Sequence, residues 1–162
     1  MREGETMIVV NFVKVDSRAE APRHGSSQAA GYDIAVVLDE CPDYAWTEEY
    51  ETLAPYETRM FRTGLAVELP AGYFGDLTGR SSLYKKGLSV KRGIIDSDFR
   101  GEMKVVVRND SSHWVRIYNG EYLAQLIVRK HETIQWNEVT KLHETERNKG
   151  GFGSTDGKEI TI

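Results

Sequence analysis

The sequence predicts an all-β fold, a β-sandwich or jelly roll with one short helix. Short runs of apolar and β-branched residues recur along the chain, and several alternate in the strand period, as at Met103, Val105 and Val107. Gly, Asn and Asp residues separate these runs, for example at Asn119-Gly120. Many short strands at this spacing are typical of sandwiches and jelly rolls.

Each element is placed where such a run lies between turn residues. The predicted strands, in chain order, cover residues 8–15, 32–38, 59–69, 73–78, 103–107, 115–118, 122–128 and 134–142. The best helical candidate is short and covers residues 82–86.

Length and composition restrict the class of protein. A chain of 162 residues fits one domain, since most domains have about 100–200 residues. The net charge of −4 argues against a general nucleic-acid binder, because phosphate backbones need clustered Lys and Arg. The single cysteine, Cys41, excludes an internal disulfide and a multi-cysteine zinc site.

No apolar run approaches the ~20 residues that span a bilayer, and residues 1–6 lack the apolar stretch of a signal peptide. We therefore expect a soluble, cytoplasmic protein without a membrane partner. Residues 1–143 are predicted to form a single β domain, in which the acidic residues 39–51 form a surface insertion. Residues 144–162 are polar and Gly-rich, so they form either a loose tail or an arm that becomes ordered on a partner.

Two short sequence motifs contain candidate catalytic or ligand-binding residues. Asp96 and Asp98 lie two positions apart, which suits acid/base chemistry or a hydrated cation but is also an ordinary turn composition. Arg80, Ser81 and Ser82 precede the predicted helix. They suit an anion, because helix N-termini present unpaired N–H groups, and they equally suit an ordinary serine cap.

Residues 147–155 combine cations, glycines, hydroxyls and the ring of Phe152. Such a loop could close over a nucleotide, with the ring on the base and the cations on phosphate, although its composition alone favours a disordered tail. It has neither the dinucleotide-binding spacing nor a P-loop. The histidines lack metal-ligand spacing and are expected at the surface. They are His24, His113, His131 and His143.

Taken in order, these phrases resemble the motifs of the trimeric dUTPase family. The matching motifs are Ala29-Ala30-Gly31-Tyr32-Asp33-Ile34, Gly79-Arg80-Ser81-Ser82-Leu83, residues 93–101, Gly120-Glu121-Tyr122-Leu123-Ala124-Gln125-Leu126, and residues 147–155. The resemblance implies a distorted jelly roll of the dUTPase type and a Mg²⁺-dependent hydrolysis of dUTP to dUMP and pyrophosphate. Water would attack the α-phosphorus, and the reaction would limit uracil in DNA and supply dUMP for dTMP synthesis.

The resemblance also assigns roles by position. Asp96 matches the carboxylate that deprotonates the attacking water, Gln125 matches a residue that holds this water, and Asp33 matches the residue that holds Mg²⁺ through water. The positions matched to nucleotide contacts are Arg80, Ser81, Ser82, Gly93, Ile95, Phe99, Gln125, Arg147, Phe152, Gly153, Ser154 and Thr155. Family members share each site among the subunits of a homotrimer, and the C-terminal arm reaches a neighbour's site.

The sequence departs from the family pattern at several positions. Phe99 stands where the family usually has Tyr, and Lys91-Arg92 stands where smaller residues are usual, in the hairpin that reads the pyrimidine edge. Gly79 replaces a usual Pro and Asn148 a usual Gly. These departures concern substrate choice and loop geometry more than the hydrolytic chemistry.

Two alternatives follow from the same residues. A dCTP deaminase has a related second motif, but it uses a glutamate where this chain has Val106; a dCTP- or dUTP-accepting pyrophosphatase is a close variant. From another class, a nucleotide-gated regulatory protein would bind a partner through residues 39–51. Ammonia release separates the deaminase, and absence of turnover separates the regulator.

Overall fold

The structure is a computed structural model, and it describes residues 7–39 and 50–149. Within these residues the regular structure consists of β-strands and one 3-10 helix, which confirms the all-β prediction. The strands are β1 (Asn11–Lys14), β2 (Arg23–His24), β3 (Tyr32–Ala35), β4 (Tyr50–Leu53), β5 (Thr58–Arg62), β6 (Leu65–Glu68), β7 (Tyr73–Gly79), β8 (Leu88–Lys91), β9 (Gly93–Ile95), β10 (Lys104–Asn109), β11 (Val115–Tyr118) and β12 (Tyr122–Lys130).

The described strands form four antiparallel sheets. The largest has the order β2-β3-β12-β7-β9, a second has the order β5-β10-β8, and the remaining two are the pairs β1-β6 and β11-β4. The long strand β12 lies between β3 and β7, so residues that are far apart in sequence meet along its two edges.

The core is built from the alternating positions of these strands. In β10 the side chains of Val105 and Val107 are fully buried while Lys104 is exposed, as the strand period predicts. Burying one such side chain stabilises the fold by about 1.5–3 kcal/mol. The largest fully buried hydrophobic side chains are Ile34, Leu53, Leu65, Leu88, Met103, Ile117 and Leu123.

The predicted strand over residues 59–69 is divided into β5 and β6, which belong to different sheets. The division falls at Gly64, whose φ of 65° lies in the left-handed region. A Cβ at this position would lie 2.7 Å from the Cβ of Ala19, so the corner has no room for a side chain. The Gly64 N–H donates to Glu102 Oε1 at 2.8 Å, which holds the chain where it changes sheet.

Other predictions were confirmed with shifted boundaries. The helix covers Ser81–Lys86 and ends at Gly87, whose φ is 68°. The strands β2, β4, β8 and β9 were not predicted; β2 and β9 have only two and three residues, too few to show a period. The end of the predicted insertion, Tyr50 and Glu51, belongs to β4, while residues 40–49 lie outside the described residues.

The chain divides into two compact units, Met1–Glu132 and Thr133–Ile162. In the second unit residues 133–149 are described, and the strand predicted over 134–142 is wrong, since these residues form none. Ile134, Trp136 and Leu142 are 64%, 88% and 80% exposed. An alternating pattern alone does not supply the backbone partners that a strand needs.

The assignment of residues 1–143 to one domain and 144–162 to an arm stays a prediction, because residues 150–162 lie outside the described part of the chain. Over the residues that are described, no helix has both the length and the apolar character needed to cross a membrane.

Candidate active site

Three predicted site residues meet on the largest sheet, and we call them the Asp33 cluster: Asp33, Arg80 and Gln125. Gln125 lies opposite Asp33 on β3 and opposite Thr78 on β7. Directly opposed residues share one face of an antiparallel sheet, so Asp33 and Gln125 are neighbours. Arg80 follows β7 and completes the cluster by placing its Nε 3.0 Å from Asp33 Oδ1.

Asp33 is a buried carboxylate with unequal oxygens. Its Oδ1 is paired with Arg80, whereas Oδ2 has no hydrogen-bond partner among the described residues. Arg80 is itself held by β12, because its Nη1 donates to the carbonyl of Tyr122 at 3.2 Å and its backbone N–H to the carbonyl of Leu123 at 3.2 Å. The guanidinium therefore balances the charge of Asp33 and leaves one carboxylate oxygen available.

Gln125 lies against the backbone of Gly31, a residue to which the sequence assigned no separate role. A Cβ at Gly31 would lie 2.8 Å from Gln125 Oε1, and Gln125 Nε2 donates a long hydrogen bond of 3.4 Å to the Gly79 carbonyl. The sequence signal was a glycine directly before a strand, which often marks such a close approach.

Ser81 and Ser82 lie exposed in the first turn of the 3-10 helix. Arg80 occupies the capping position, and no side chain caps the helix. The interpretation of these residues as an ordinary serine cap beside a solvated arginine is therefore wrong, since Arg80 is paired with Asp33 and the serine hydroxyls do not cap.

Asp96 begins a tight turn, the Asp96 turn, which covers residues 96–99 directly after β9. The Phe99 N–H donates to the Asp96 carbonyl at 3.1 Å, and the Asp96 side chain is exposed. The turn borders an open hollow of about 670 Å³. The residues that line this hollow are Tyr73, Phe74, Ile94, Asp96, Ser97, Asp98 and His131. Both carboxylates of the Asp-Ser-Asp phrase thus border one space beside aromatic rings.

Phe99 is 41% exposed, and its ring lies over Gly101. A Cβ at Gly101 would lie 2.6 Å from Phe99 Cζ, so a side chain there would push the ring away. The ring also borders a second hollow, of about 540 Å³, together with Met60 and Lys104. Phe99 therefore presents an apolar face next to the Asp96 turn.

Ile95 and Gly93 occupy the two ends of β9 in different environments. The Ile95 side chain is 8% exposed and packs into the core against Gly75, so a nucleotide contact at this position would use the backbone. A Cβ at Gly93 would meet nothing within 4 Å, which leaves the backbone there open to a ligand.

Two residues beside the turn were missed as parts of the site. Arg100 Nη1 donates to the carbonyls of Ser97 at 2.7 Å and Phe99 at 3.0 Å, and Nη2 lies 3.2 Å from Glu68 Oε1. Arg100 thereby braces the Asp96 turn, as an arginine with several donors beside turn carbonyls can. His131 packs against Phe74 with ring centroids 6.4 Å apart and lines the hollow. The position of His131 at this hollow could not be predicted from the sequence, because its contact with Phe74 depends on strand pairing.

The Asp33 cluster and the Asp96 turn are separated within one chain. Along β7, Thr78 is opposite Gln125 and Gly75 is opposite Ile95. These positions are three residues apart, or about 10 Å along the strand, and Asp96 lies beyond Ile95 in the direction away from Gln125.

Arg147 lies in the second unit. The other arm residues matched to nucleotide contacts, Phe152, Gly153, Ser154 and Thr155, lie outside the described residues. Their role in closing over a nucleotide stays a prediction.

Comparison with known proteins agrees with the order of motifs. The dUTPase family model matches residues 17–156. The chain belongs to the dUTPase family. The mouse (Mus musculus) deoxyuridine 5'-triphosphate nucleotidohydrolase is 35% identical over 147 residues, which cover 90% of this chain and 84% of that protein. The enzyme of the same name from Escherichia phage T5 is 39% identical over 140 residues, with coverage of 85% and 92%.

Among solved structures, a mutant of the Staphylococcus bacteriophage 80alpha dUTPase with dUpNHpp has a TM-score of 0.78 at 26% identity, covering 91% of this chain and 98% of that one. The dUTPase of phage phi11 of S. aureus has a TM-score of 0.71 at 23% identity and supports the fold alone. The predicted jelly roll of the dUTPase type is confirmed.

Proposed function

We propose that this protein hydrolyses dUTP to dUMP and pyrophosphate by attack of water on the α-phosphorus. The observation that carries the proposal is the placement of Asp96 in a chain of the dUTPase family. Its carboxylate is exposed on a closed turn at the edge of an open hollow, where it can reach water and a ligand together.

Asp96 takes the role of general base. A carboxylate that accepts the proton of a positioned water raises the rate typically by ~10²–10⁴. The Phe99 N–H and the Arg100 guanidinium both bind backbone carbonyls of the turn, so the backbone of Asp96 is held in place. The Asp96 carboxylate stays accessible to solvent. Phe99 offers its ring to the sugar, and the open backbone at Gly93 is placed to meet the base.

The Asp33 cluster takes the phosphates. The guanidinium of Arg80 and the hydroxyls of Ser81 and Ser82 present donors to anionic oxygens. Gln125, which lies in the same cluster, supplies an amide for the attacking water and a phosphate oxygen. The arm residues Arg147, Phe152, Gly153, Ser154 and Thr155 are assigned to closure over the nucleotide by their match to the family motif.

Mg²⁺ fits the donors that are present. No group of three or more His, Cys, Asp and Glu side chains occurs among the described residues, so this part of the chain builds no direct-ligand cage. Mg²⁺ keeps several waters and binds phosphate oxygens, and Asp33 Oδ2 is available to accept hydrogen bonds from such a water shell. When bound, the cation would neutralise the triphosphate.

We infer that the complete site is shared between chains of a homotrimer. The β7 residues opposite Gln125 and Ile95 are about 10 Å apart along the strand, and Asp96 lies beyond Ile95. Asp96 and Gln125 are therefore too far apart to hold one water within a single chain. Exposed apolar side chains on β1, Phe12 at 45% and Val13 at 59%, offer surface that assembly would bury.

Asp96→Asn tests the catalytic role. Turnover of dUTP, measured as pyrophosphate release, should fall by ~10²–10⁴ while the dissociation constant for dUpNHpp changes little. Asp98→Asn is the matched control, because Asp98 lines the same hollow and should give a much smaller loss. Equal losses of binding and turnover in Asp96→Asn would contradict a base role.

Mixing variants tests the shared site. Asp96→Asn and Gln125→Ala should each be nearly inactive alone. If a site takes Asp96 from one chain and Gln125 from another, unfolding and refolding the two together should restore a fraction of wild-type turnover. Mixtures that stay as inactive as either variant would show that each site belongs to one chain.

A further inference from the structure

A second buried aspartate, Asp76, joins the sheet to a chain corner that the proposed mechanism does not use. Asp76 lies on β7 and is 3% exposed. Its Oδ1 accepts from Arg92 Nε at 2.6 Å, and its Oδ2 accepts from Arg92 Nη2 at 3.0 Å. Arg129 on β12 places its Nε 3.0 Å from the same Oδ2. We call these three residues the Asp76 cluster.

Arg92 occupies a special place in the chain. It is the one residue between β8, which ends at Lys91, and β9, which begins at Gly93. β8 pairs with β10 and β9 pairs with β7, so the chain changes sheet at Arg92. Arg92 itself has no paired residue in either ladder.

The contact with Asp76 fixes this corner. A buried carboxylate is costly unless it is paired, and the forked guanidinium satisfies both of its oxygens in one orientation. The Arg92 hydrogen bonds, ahead of the charge of Arg129, hold the pKa of Asp76 below its usual range, so the pair stays charged at neutral pH. The corner is thus tied to β7 by a charged, directional link.

The backbone of this corner is open at Gly93. Gly93 has open space where a Cβ would stand, and β9 leads from it directly to Asp96. Uracil and cytosine differ on one edge by exchange of a carbonyl acceptor for an amino donor. Backbone groups distinguish these edges only if they are held in place, since a free corner could turn to suit either.

We propose that Arg92, through its fork on Asp76, positions residues 91–93 so that their backbone selects uracil over cytosine. Arg92 is a positioning residue and touches no reacting atom. The inference rests on the proposed function in taking a deoxyuridine nucleotide as the ligand. It gives a reason for an arginine at this corner, where smaller residues would leave the backbone without this anchor.

Arg129 provides a matched control. Arg92 and Arg129 are similarly exposed, at 63% and 53%, and contact the same carboxylate, but Arg129 lies opposite Phe74 on β12 and not in the corner. Substituting either one leaves Asp76 with one arginine. A purely structural cluster would lose stability in both variants and would change base preference in neither.

The experiment compares Arg92→Ala, Arg129→Ala and Arg92→Lys in the full chain. Calorimetry with Mg²⁺ measures the dissociation constants of dUpNHpp and its deoxycytidine counterpart, and a thermal scan measures the unfolding midpoint. Arg92→Ala should lower the preference for the uridine analogue about tenfold, less than the ~10²-fold that a 1 Å misplacement can cost in catalysis. Arg129→Ala should leave this preference unchanged, and Arg92→Lys should restore little, because lysine cannot form the fork.

The inference is wrong if Arg92→Ala keeps the base preference, or if Arg129→Ala lowers it equally. Pyrophosphate release by the unmodified protein tests the proposed function separately. Turnover of dUTP with a base preference that survives Arg92→Ala would leave the function standing and overturn the inference. Base-selective binding that depends on Arg92, without any pyrophosphate release, would support the inference and overturn the proposed hydrolysis. An unmodified protein without base preference would overturn the inference outright.

Discussion

Asp33 and Asp76 lie on strands that flank β12 on the same sheet, and both are buried beside arginine. They differ in how many of their carboxylate oxygens have a partner. Asp33 Oδ1 is paired with Arg80, while its Oδ2 has no partner among the described residues. Both oxygens of Asp76 are occupied, by Arg92 and Arg129. A carboxylate with a spare oxygen can receive a ligand, whereas one with both oxygens satisfied connects parts of the fold.

The difference comes from the number of arginines that contact each carboxylate and from their orientation. An ionised carboxylate accepts about four hydrogen bonds, and one guanidinium contacts both oxygens when it presents two parallel N–H groups. Arg80 presents Nε to a single oxygen because its Nη1 is directed to the Tyr122 carbonyl. Arg92 has no such competing contact with the residues that the structure describes, and it forks onto Asp76.

Substituting each aspartate by asparagine is the strongest test of this comparison. Asp33→Asn should lower kcat/KM for dUTP by about 10–100-fold, the usual effect of losing a group that orients a metal's waters. It should shift the free energy of unfolding little, since Arg80 keeps its contacts with β12. Asp76→Asn should cost about 1–3 kcal/mol of stability, because it breaks hydrogen bonds to a buried group. Steady-state kinetics and urea unfolding of both variants measure the two effects.

If Asp33→Asn unfolds the protein as readily as Asp76→Asn, then Asp33 is structural as well and the spare oxygen has no functional meaning. If Asp76→Asn lowers kcat to the same extent as Asp33→Asn at full stability, the division between a binding and a connecting carboxylate is wrong.

Two glycines on the same sheet sharpen the comparison with smaller changes. A Cβ at Gly31 would lie 2.8 Å from Gln125 Oε1 and 3.1 Å from Ile127 Cγ1, whereas at Gly75 it would lie 2.8 Å from Leu126 Cδ1 and 3.1 Å from Ile95 Cβ. Gly31→Ala should therefore reduce turnover and lose less stability than Gly75→Ala, because the shortest contact is with the movable end of the Gln125 side chain. Gly75→Ala should destabilise by about 1–3 kcal/mol through overpacking.

Pyrophosphate release and thermal unfolding of the two alanine variants give the comparison directly. Loss of activity in Gly31→Ala should appear in kcat more than in KM, since Gln125 is assigned to the attacking water. Full activity in this variant would show that the position of the Gln125 amide is unimportant.

Asp16 extends the comparison to a carboxylate that lies after β1, outside the largest sheet, with a side chain 12% exposed. Hydrogen bonds from Arg18 lower the pKa of Asp16 from 3.8 to about 2. A lowered pKa in the folded state stabilises the protein above pH 3.8, and this contribution is lost as the pH falls toward about 2. Asp16→Asn should be slightly less stable than the unmodified protein at neutral pH, and the difference should shrink across this interval.

Urea unfolding at several pH values measures this small effect. The two stability curves should converge near pH 2. A constant difference at all pH values would mean that the variant disturbs packing instead of removing a titrating charge.

Much of the fold was predictable because its signals are local. Alternation marked Val105 and Val107 as core positions, and the glycine after the short helix marked its end. The site residues were placed by motifs, and the structure brings Asp33, Arg80 and Gln125 together at the largest sheet. The roles given to these residues are predictions that the variants above test.

The sequence by itself determined the all-β class and the family, because these depend on recurring local patterns and ordered motifs. It left the Asp96 phrase open between a turn and a functional pair of carboxylates, and the structure shows the turn. Only the tertiary structure decided that residues 134–142 form no strand, that Gly64 turns the chain between sheets, and that Arg92 shares a buried carboxylate with Arg129. These features depend on partners far away in the chain. Backbone hydrogen bonds and buried charges must be satisfied wherever the fold places them, and no local pattern records which residue will do so.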